Sequence, residues 1–366
     1  MSKVLDTKPR EQAGADSYNR FEYQVHWIVY HIINKLHDNT ECIVFCEYHD
    51  DMTEFSIDDQ QYQFYQIKTK EDPSDWTIAE ISKREKNKSG NYKKSFLGFI
   101  FYNYLTFSTE CSHCHFVSNN DFDSEVSSWQ AIIEDGEELQ KENITLYKKI
   151  KDRIKDEFGD DIPNNFDDVF DKFIQNTFVY KSDLQLTTYE SQTKGEFFNY
   201  LADKNIPTNT ANLIFQQLIN DVRKKSKEKI SLPISKKKLL DKKGIDIAKM
   251  GKKIDSNIKN SGNYEAFHQY LLTQSLSTKD VNRLVAAKTL HDTRWLDVND
   301  FRYQEIVVVL RQVISTYCEK NDTDKLDDEL KRLCNQELKK KNLLSESLDK
   351  SLVEVLYYER KYSRNY

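Results

Sequence analysis

The chain has 366 residues, 31% of them charged and 38% hydrophobic, with a formal net charge of −6. This length accommodates two domains, and 12% aromatic residues supply core material that disordered chains lack. The acidic balance excludes a protein that coats nucleic acid through bulk basicity, so any DNA contact depends on a local patch. No apolar run approaches the roughly 20 residues needed to span a bilayer, and no signal peptide is evident. Six cysteines are too few for a disulfide framework in a chain of this length. We therefore expect a cytoplasmic protein with free thiols.

The first third of the chain predicts a mixed α/β core. Apolar residues recur at helical spacing over residues 17–37, which predicts a helix. Segments rich in β-branched and aromatic residues follow, and the polar run at 58–61 is typical of a hairpin turn. The further elements predicted in this region are strands at 42–47, 52–57, 62–69 and 113–118 and a helix at about 93–105.

Beyond about residue 125, nearly every apolar stretch has helical spacing. Helices are expected at 281–290 and 305–318, and the segment 184–187 is a candidate for one short strand. Breaks between helices are expected at 160–165 and 191–195. We therefore predict an α/β domain at 14–125 followed by a mainly helical region at 126–366.

The segment Tyr-Gln-Phe-Tyr-Gln-Ile-Lys at 62–68 carries the clearest chemical pattern. Successive side chains of a strand point to opposite faces, so Gln66 and Lys68 share one face. Asp51 stands at the start of the preceding strand, and a hairpin would bring it level with the end of the next. The pattern therefore predicts a site formed by Asp51, Gln66 and Lys68.

Phosphodiester hydrolysis needs oxygen ligands for a hard divalent cation, which activates water and neutralises developing charge. Asp51 and the Gln66 amide offer such oxygens, and Lys68 would position water or stabilise charge on the phosphate. Glu47 and Asp50 are further candidate metal ligands, although a single acid is most often a solvated or capping carboxylate. A D…QxK pattern is weak by itself and gains weight from its place on a hairpin.

The first helix offers two candidates for a fourth member of the site. Helical periodicity places Glu22 nearer the centre of the apolar stripe than Gln24, which favours Glu22 as the inward-facing residue. Gln24 is the rival, and the residues alone leave both open.

Basic residues are concentrated at 223–253, where RKKSKEK, SKKK, DKK and GKK follow one another. Arg223, Lys224 and Lys225, together with Lys70, are candidate DNA contacts, although such a run is more often a solvated face. The Cys111 and Cys114 pair has the spacing of zinc ligands, but no second pair follows, so a strand explains it better. Trp76 is expected to be a core or staple residue rather than a platform on which a base stacks.

These motifs together resemble the nuclease domain of anti-phage effectors. The strings RFEYQ, CEYHDD, FYQIKTK, WTIAEI, KKSFLGFIFYNY and HFVSNNDF occur in the order found in that family. The resemblance implies a PD-(D/E)xK, restriction-endonuclease-like fold, double-stranded DNA as substrate, and Mg²⁺ as cofactor with Mn²⁺ as a substitute. It places the family's YQ on Tyr23-Gln24, which favours Gln24, and it makes 116–119 a support for the sheet.

The same domain occurs in CBASS effector nucleases and in LmuA, the nuclease subunit of Lamassu defence systems. Because the region after residue 125 is helical rather than an α/β nucleotide sensor, the chain resembles the Lamassu subunit more. That resemblance implies an SMC-like ATPase partner (LmuB), a small subunit (LmuC), and activation by release and self-assembly into oligomers. Two rival interpretations are an inactive scaffold that binds DNA or protein, and an RNA-cutting enzyme of the same fold.

Overall fold

The computed structural model describes residues 13–204, 208–261, 264–295, 301–321, 326–343 and 349–365. They form two compact units. The first comprises the chain up to Tyr200 together with Val222–Ala248, and the second comprises Leu201–Asp221 and Lys249–Tyr366. In the part of the chain described, no helix combines the length and the apolar character needed to cross a bilayer.

A six-stranded mixed sheet forms the centre of the first unit. Its strands are β1 (Cys42–Tyr48), β2 (Asp50–Ser56), β3 (Tyr62–Lys68), β4 (Cys111–Ser118), β5 (Thr177–Lys181) and β6 (Gly244–Asp246). Their order across the sheet is β5-β4-β3-β2-β1-β6. Strands β1 to β3 form an antiparallel meander, β4 and β5 run parallel to β3, and β6 pairs antiparallel with β1. The predicted mixed α/β core is confirmed.

Helices cover both faces of this sheet. On one face, Trp27 of the first helix lies 5.7 Å from the Tyr65 ring of β3. On the other face, Phe64 and Phe116 join a large core with the helices that follow β3 and β4. The helices up to residue 261 are α1 (Ala13–His37), α2 (Ile78–Ile81), α3 (Phe96–Phe107), α4 (Ser124–Glu134), α5 (Leu139–Glu142), α6 (Ile144–Phe158), α7 (Phe166–Gln175), α8 (Tyr189–Leu201), α9 (Thr208–Lys227), α10 (Lys236–Lys243) and α11 (Ile247–Ser261).

The segment after β3 is fixed to the end of β4. The Trp76 indole nitrogen donates to Ser118 Oγ at 2.6 Å, and the ring is buried. Asn119 brackets the backbone of Lys70, accepting from its N–H at 2.8 Å and donating to its carbonyl at 3.0 Å. Thr77 and Glu80 then form a reciprocal capping box at the start of α2. The prediction of Trp76 as a core residue is confirmed.

The second unit is helical throughout the part of it that is described. Its core contains Phe267, Leu310 and Leu356, all buried. Its later helices are α12 (Tyr264–Thr273), α13 (Thr278–Trp295), α14 (Phe301–Lys320), α15 (Asp328–Lys340) and α16 (Lys350–Asn365).

The sequence prediction was wrong in three places. Residues 184–187 form no strand; Leu184 is buried, and its carbonyl accepts from the Tyr23 hydroxyl at 3.0 Å. The predicted break at 191–195 lies inside α8, which continues because Thr193 and Phe197 are buried on either side of Gly195. The sheet does not end by residue 125, since β5 and β6 come from the region predicted to be helical. Both are short edge strands, for which periodicity gives little signal.

Candidate active site

Asp51, near the start of β2, meets the end of β3 as predicted. Its Oδ2 accepts from the Ile67 backbone N–H at 2.7 Å and from the Lys68 ammonium at 2.8 Å. The β2–β3 pairing, in which Met52 lies opposite Tyr65, produces this meeting. Among described residues, no hydrogen bond falls on Asp51 Oδ1, so this oxygen is available to a ligand.

Gln66 lies beside this carboxylate and is buried, with 6% of its surface exposed. Its Nε2 donates to Asp50 Oδ1 at 3.4 Å. Its Oε1 is buried and has no hydrogen-bond partner among the residues that the structure describes. An unpaired buried acceptor costs about 1–3 kcal/mol, so such an oxygen beside the Asp51 carboxylate points to a ligand.

Asp50 is held by donors on several sides. Asn103 of α3 donates to its Oδ2 at 2.9 Å, and its Oδ1 accepts from the Asp51 backbone N–H at 2.9 Å. Burial, and then the neighbouring charge of Asp51, raise the pKa of Asp50 well above its usual range. Because both oxygens are engaged, Asp50 fits a role in positioning Gln66 better than the predicted role of a metal ligand.

Asn103 is a site residue that the sequence analysis missed. It is buried within α3, whose sequence FLGFIFYNYLTF is otherwise almost entirely apolar, and it also donates to the His49 carbonyl at 3.2 Å. A buried amide in an apolar helix needs a polar partner. The single amide in this apolar sequence was therefore the signal that could have identified Asn103.

Glu47 lies at the end of β1 in a left-handed backbone conformation, with φ of +48°. Although part of its side chain is exposed, the surrounding protein and the charge of Asp51 raise the pKa of Glu47 to about 7, while Lys243 and Lys68 oppose the shift. The Glu47 carboxyl therefore interacts electrostatically with Asp51. The Asp50, Asp51 and Glu47 carboxylates do not converge into a compact three-carboxylate cluster.

The structure separates the two candidates on α1. Gln24 Nε2 donates to the Ile67 carbonyl at 3.0 Å and so supports the backbone between Gln66 and Lys68. Glu22 is buried as periodicity predicted, but it forms a two-oxygen ion pair with Arg223, at 3.0 and 3.1 Å from Arg223 Nε. Gln24 is thus the helix residue that touches the site. Periodicity identified burial correctly but could not identify the partner.

Three of the four predicted DNA contacts are engaged within the protein. Arg223 pairs with Glu22. Lys225 is 2% exposed and donates to the carbonyls of Leu240 and Asp241, which excludes it as a surface contact. The amphipathic spacing of α9 turns it inward. Lys224 is exposed.

Lys70, the fourth predicted contact, lies next to the site but is also engaged. It pairs with Glu80 at 2.8 Å and lies 5.0 Å from the Trp76 ring centroid. These contacts fix the segment that follows β3.

The described residues contain no zinc site at Cys111 and Cys114. Both thiols are buried, with their sulfurs 3.7 Å apart. The one compact set of His, Asp and Glu ligand atoms in the described part of the chain is His291, Asp292 and Glu359. There the Lys288 ammonium contacts both carboxylates, at 3.0 and 2.6 Å, and already supplies the compensating charge.

Comparisons with known proteins assign this chain to a family. The family model of the Cap4 dsDNA endonuclease domain matches residues 12–226, more than half of the chain. No curated protein matches. A solved structure, the Cap4 SAVED/CARF-domain containing receptor of Moraxella osloensis, is similar at 17% identity and a TM-score of 0.35, over 56% of this chain and 43% of that one. The chain thus spans less than half the length of that receptor. By the family match, the chain belongs to the Cap4 dsDNA endonuclease domain family.

Proposed function

We propose that this protein is a Mg²⁺-dependent endonuclease of the PD-(D/E)xK type that cuts double-stranded DNA, with Mn²⁺ able to replace Mg²⁺. The family match supports the DNA endonuclease assignment. The observation that carries the metal dependence is the buried, unpartnered Gln66 Oε1 beside the Asp51 carboxylate. Hard divalent cations prefer oxygen ligands of this kind.

Asp51 and Gln66 are the residues that would hold the cation. When bound, the cation activates water and neutralises charge on the phosphate. Asp51 offers its Oδ1, while its Oδ2 stays bonded to the Ile67 N–H. Burial first, and then the charge of Asp51, raise the pKa of Glu47, and a bound cation would oppose both effects.

Lys68 supplies the positive charge for the phosphate. Its ammonium lies 2.8 Å from Asp51 and 5.4 Å from the Phe96 ring centroid, with the side chain only partly exposed. An ammonium group held in this position stabilises the negative charge that develops on the phosphate during hydrolysis. Because the group is already in place, the surrounding solvent does not have to reorganise. Gln24 and Asn103 keep the backbone of β3 and the Gln66 amide in place.

The test is cleavage of plasmid DNA with Mg²⁺ by the wild-type chain and by Asp51→Asn. Asp58→Asn is the matched control, since Asp58 is exposed in the β2–β3 turn. We expect cutting that EDTA abolishes and that Asp51→Asn loses, while Asp58→Asn cuts normally. Calorimetric titration of Mn²⁺ should show weaker binding to Asp51→Asn. Equal cleavage of duplex RNA would contradict DNA specificity, and no cutting would favour an inert scaffold.

We propose further that the chain is the effector subunit of a Lamassu-type anti-phage complex. The all-helical described part of the second unit would serve assembly and contacts with the SMC-like ATPase subunit LmuB and the small subunit LmuC. A free nuclease would damage its host, so a need for oligomers would restrain it. Light scattering and cleavage rates over a series of protein concentrations test this. Steep concentration dependence is expected, and full activity of a monomer would contradict it.

A further inference from the structure

The segment between α2 and α3 concentrates positive charge. Residues 83–94, here named the basic hairpin, read KREKNKSGNYKK and contain six cations and one acid. The whole chain carries a net charge of −6, so the rest of it is more acidic still. A local excess of this size in an acidic protein marks a surface for a polyanion.

The basic hairpin has a defined backbone. Lys86 and Tyr92 form an antiparallel bridge, and the Asn87 N–H donates to the Asn91 carbonyl at 2.8 Å. Gly90, with φ of +84°, closes the turn between them. The Arg84 and Lys86 cations each lie 5.0 Å from the Tyr92 ring centroid, so this exposed ring holds both side chains through cation–π contacts.

Every residue from 85 to 93 is exposed. Lys83, Lys86, Lys88 and Lys93 are exposed cations that form no ion pair with any described residue. Because no described acid forms an ion pair with them, the positive charge of the basic hairpin is not compensated within the first unit, and these like charges repel one another. An external anion with spaced charges would relieve that repulsion.

Both ends of the basic hairpin are fixed beside the catalytic lysine. Before it, Glu80 of α2 pairs with Lys70 at 2.8 Å, two residues beyond Lys68. After it, Phe96 at the start of α3 lies 5.4 Å from the Lys68 ammonium. The buried Ile81 before the basic hairpin and the buried Leu97 after it both pack in the core of the first unit.

We propose that the basic hairpin binds the phosphate backbone of the duplex DNA being cut, next to the active site. This inference rests on the proposed function. Lysines act as point charges on phosphate rather than as readers of bases, so the contact would be independent of sequence. The run at 223–253 is a weaker candidate, because Arg223 and Lys225 are engaged internally.

The test compares two triple variants of matched charge. Lys86→Ala/Lys88→Ala/Lys93→Ala removes three exposed cations of the basic hairpin. The control, Lys229→Ala/Lys237→Ala/Lys238→Ala, removes three exposed cations of the 223–253 run. Fluorescence anisotropy with a short labelled duplex in EDTA gives the Kd at several salt concentrations. The slope of log K against log salt should become shallower by about 0.9 for each phosphate that is no longer neutralised, and only in the hairpin variant.

Cleavage of the same duplex with Mg²⁺ should fall in the hairpin variant and recover at high protein concentration, because its catalytic residues are intact.

If the wild-type chain binds and cuts DNA but both triple variants keep its salt slope, the inference is wrong and the proposed function stands. Equal losses in the two variants would show a general charge effect and also overturn it. Loss of affinity for duplex RNA alone would assign the basic hairpin to RNA and overturn the DNA assignment. A wild-type chain that neither binds nor cuts duplex DNA would overturn both proposals.

Discussion

Strand β2 carries two carboxylates that each meet a lysine at 2.8 Å, and their surroundings give them opposite roles. Glu54 pairs with Lys35 of α1, whereas Asp51 pairs with Lys68, whose ammonium lies over Phe96 of α3. Glu54 has a second basic neighbour, since His31 contacts its other oxygen at 2.5 Å. The two carboxylates therefore lie at the same distance from a lysine but differ in the other charges around them.

That balance can be followed in the pKa values of the two groups of acids. Burial by itself would raise the pKa of Glu54, but the hydrogen bonds and charges of His31 and Lys35 outweigh burial and lower it to about 2. Around Asp51, burial first and the charge of Asp51 second raise the pKa values of Asp50 and Glu47, and the nearby lysines do not offset these two effects. The compensated cluster, formed by Glu54, His31 and Lys35, stabilises the fold. The uncompensated cluster, formed by Asp50, Asp51 and Glu47, favours binding of a cation.

The largest expected effect comes from breaking each lysine pair in turn. Lys68→Ala should reduce the rate of Mg²⁺-dependent DNA cleavage by about 10²–10³-fold, because it removes charge stabilisation from the reacting phosphate. Lys35→Ala should cut normally but lose about 2 kcal/mol of unfolding free energy, because a buried carboxylate loses a hydrogen-bond donor. Cleavage rates and urea denaturation measure both. A comparable rate loss in folded Lys35→Ala would contradict the distinction.

Neutralising the acids themselves should separate the clusters further. Glu54→Gln should lower the free energy of unfolding by about 3 kcal/mol, since it leaves the half-buried Lys35 ammonium without its counter-charge. Asp51→Asn should leave it nearly unchanged or raise it, because it relieves repulsion from Asp50 and Glu47. Urea denaturation at pH 7 compares the two variants. Equal destabilisation by both would show that the active-site cluster is also compensated.

A smaller effect is expected from Asn103. Asn103→Leu should raise the Mg²⁺ concentration for half-maximal cleavage by about 10–100-fold, because Asp50 and then Gln66 lose their orientation. The Kd for duplex DNA measured in EDTA should not change. Asn103→Ser, which keeps a polar group, should show a smaller shift and serves if the leucine variant does not fold. An unchanged Mg²⁺ requirement in both would exclude the positioning role.

The pH dependence of stability should have opposite signs at the two clusters. The pKa of Glu54 is about 2, below its ordinary 4.5, so its contribution is present above pH 4.5 and is lost as pH falls toward 2. The pKa of Glu47 is about 7, above its ordinary 4.5, so its protonated form favours folding and stability declines as pH rises from 4.5 to 7. Glu47→Gln should make that decline shallower in urea titrations over this range. An unchanged slope would contradict the assignment.

The parts of the site that sequence could predict are those joined by local geometry. Strand alternation places Gln66 and Lys68 on one face, and the short β2–β3 hairpin brings Asp51 to them. What sequence could not supply is long-range packing. Glu22 and Arg223 are 201 positions apart, and Asn103 reaches Asp50 from a separate helix. Periodicity identifies which side chains are buried but not what they meet.

Strand β6 has a consequence for any shortened form of this protein. It pairs with β1 across Ile43 to Phe45, yet it follows the family-matched region 12–226 in the chain. A fragment that stopped at residue 226 would retain Asp51, Gln66 and Lys68 but leave the backbone of β1 as an open edge, where another chain could add a strand. Such a fragment should aggregate, and one extended through Ala248 should remain dispersed. The family match therefore ends before the first unit does.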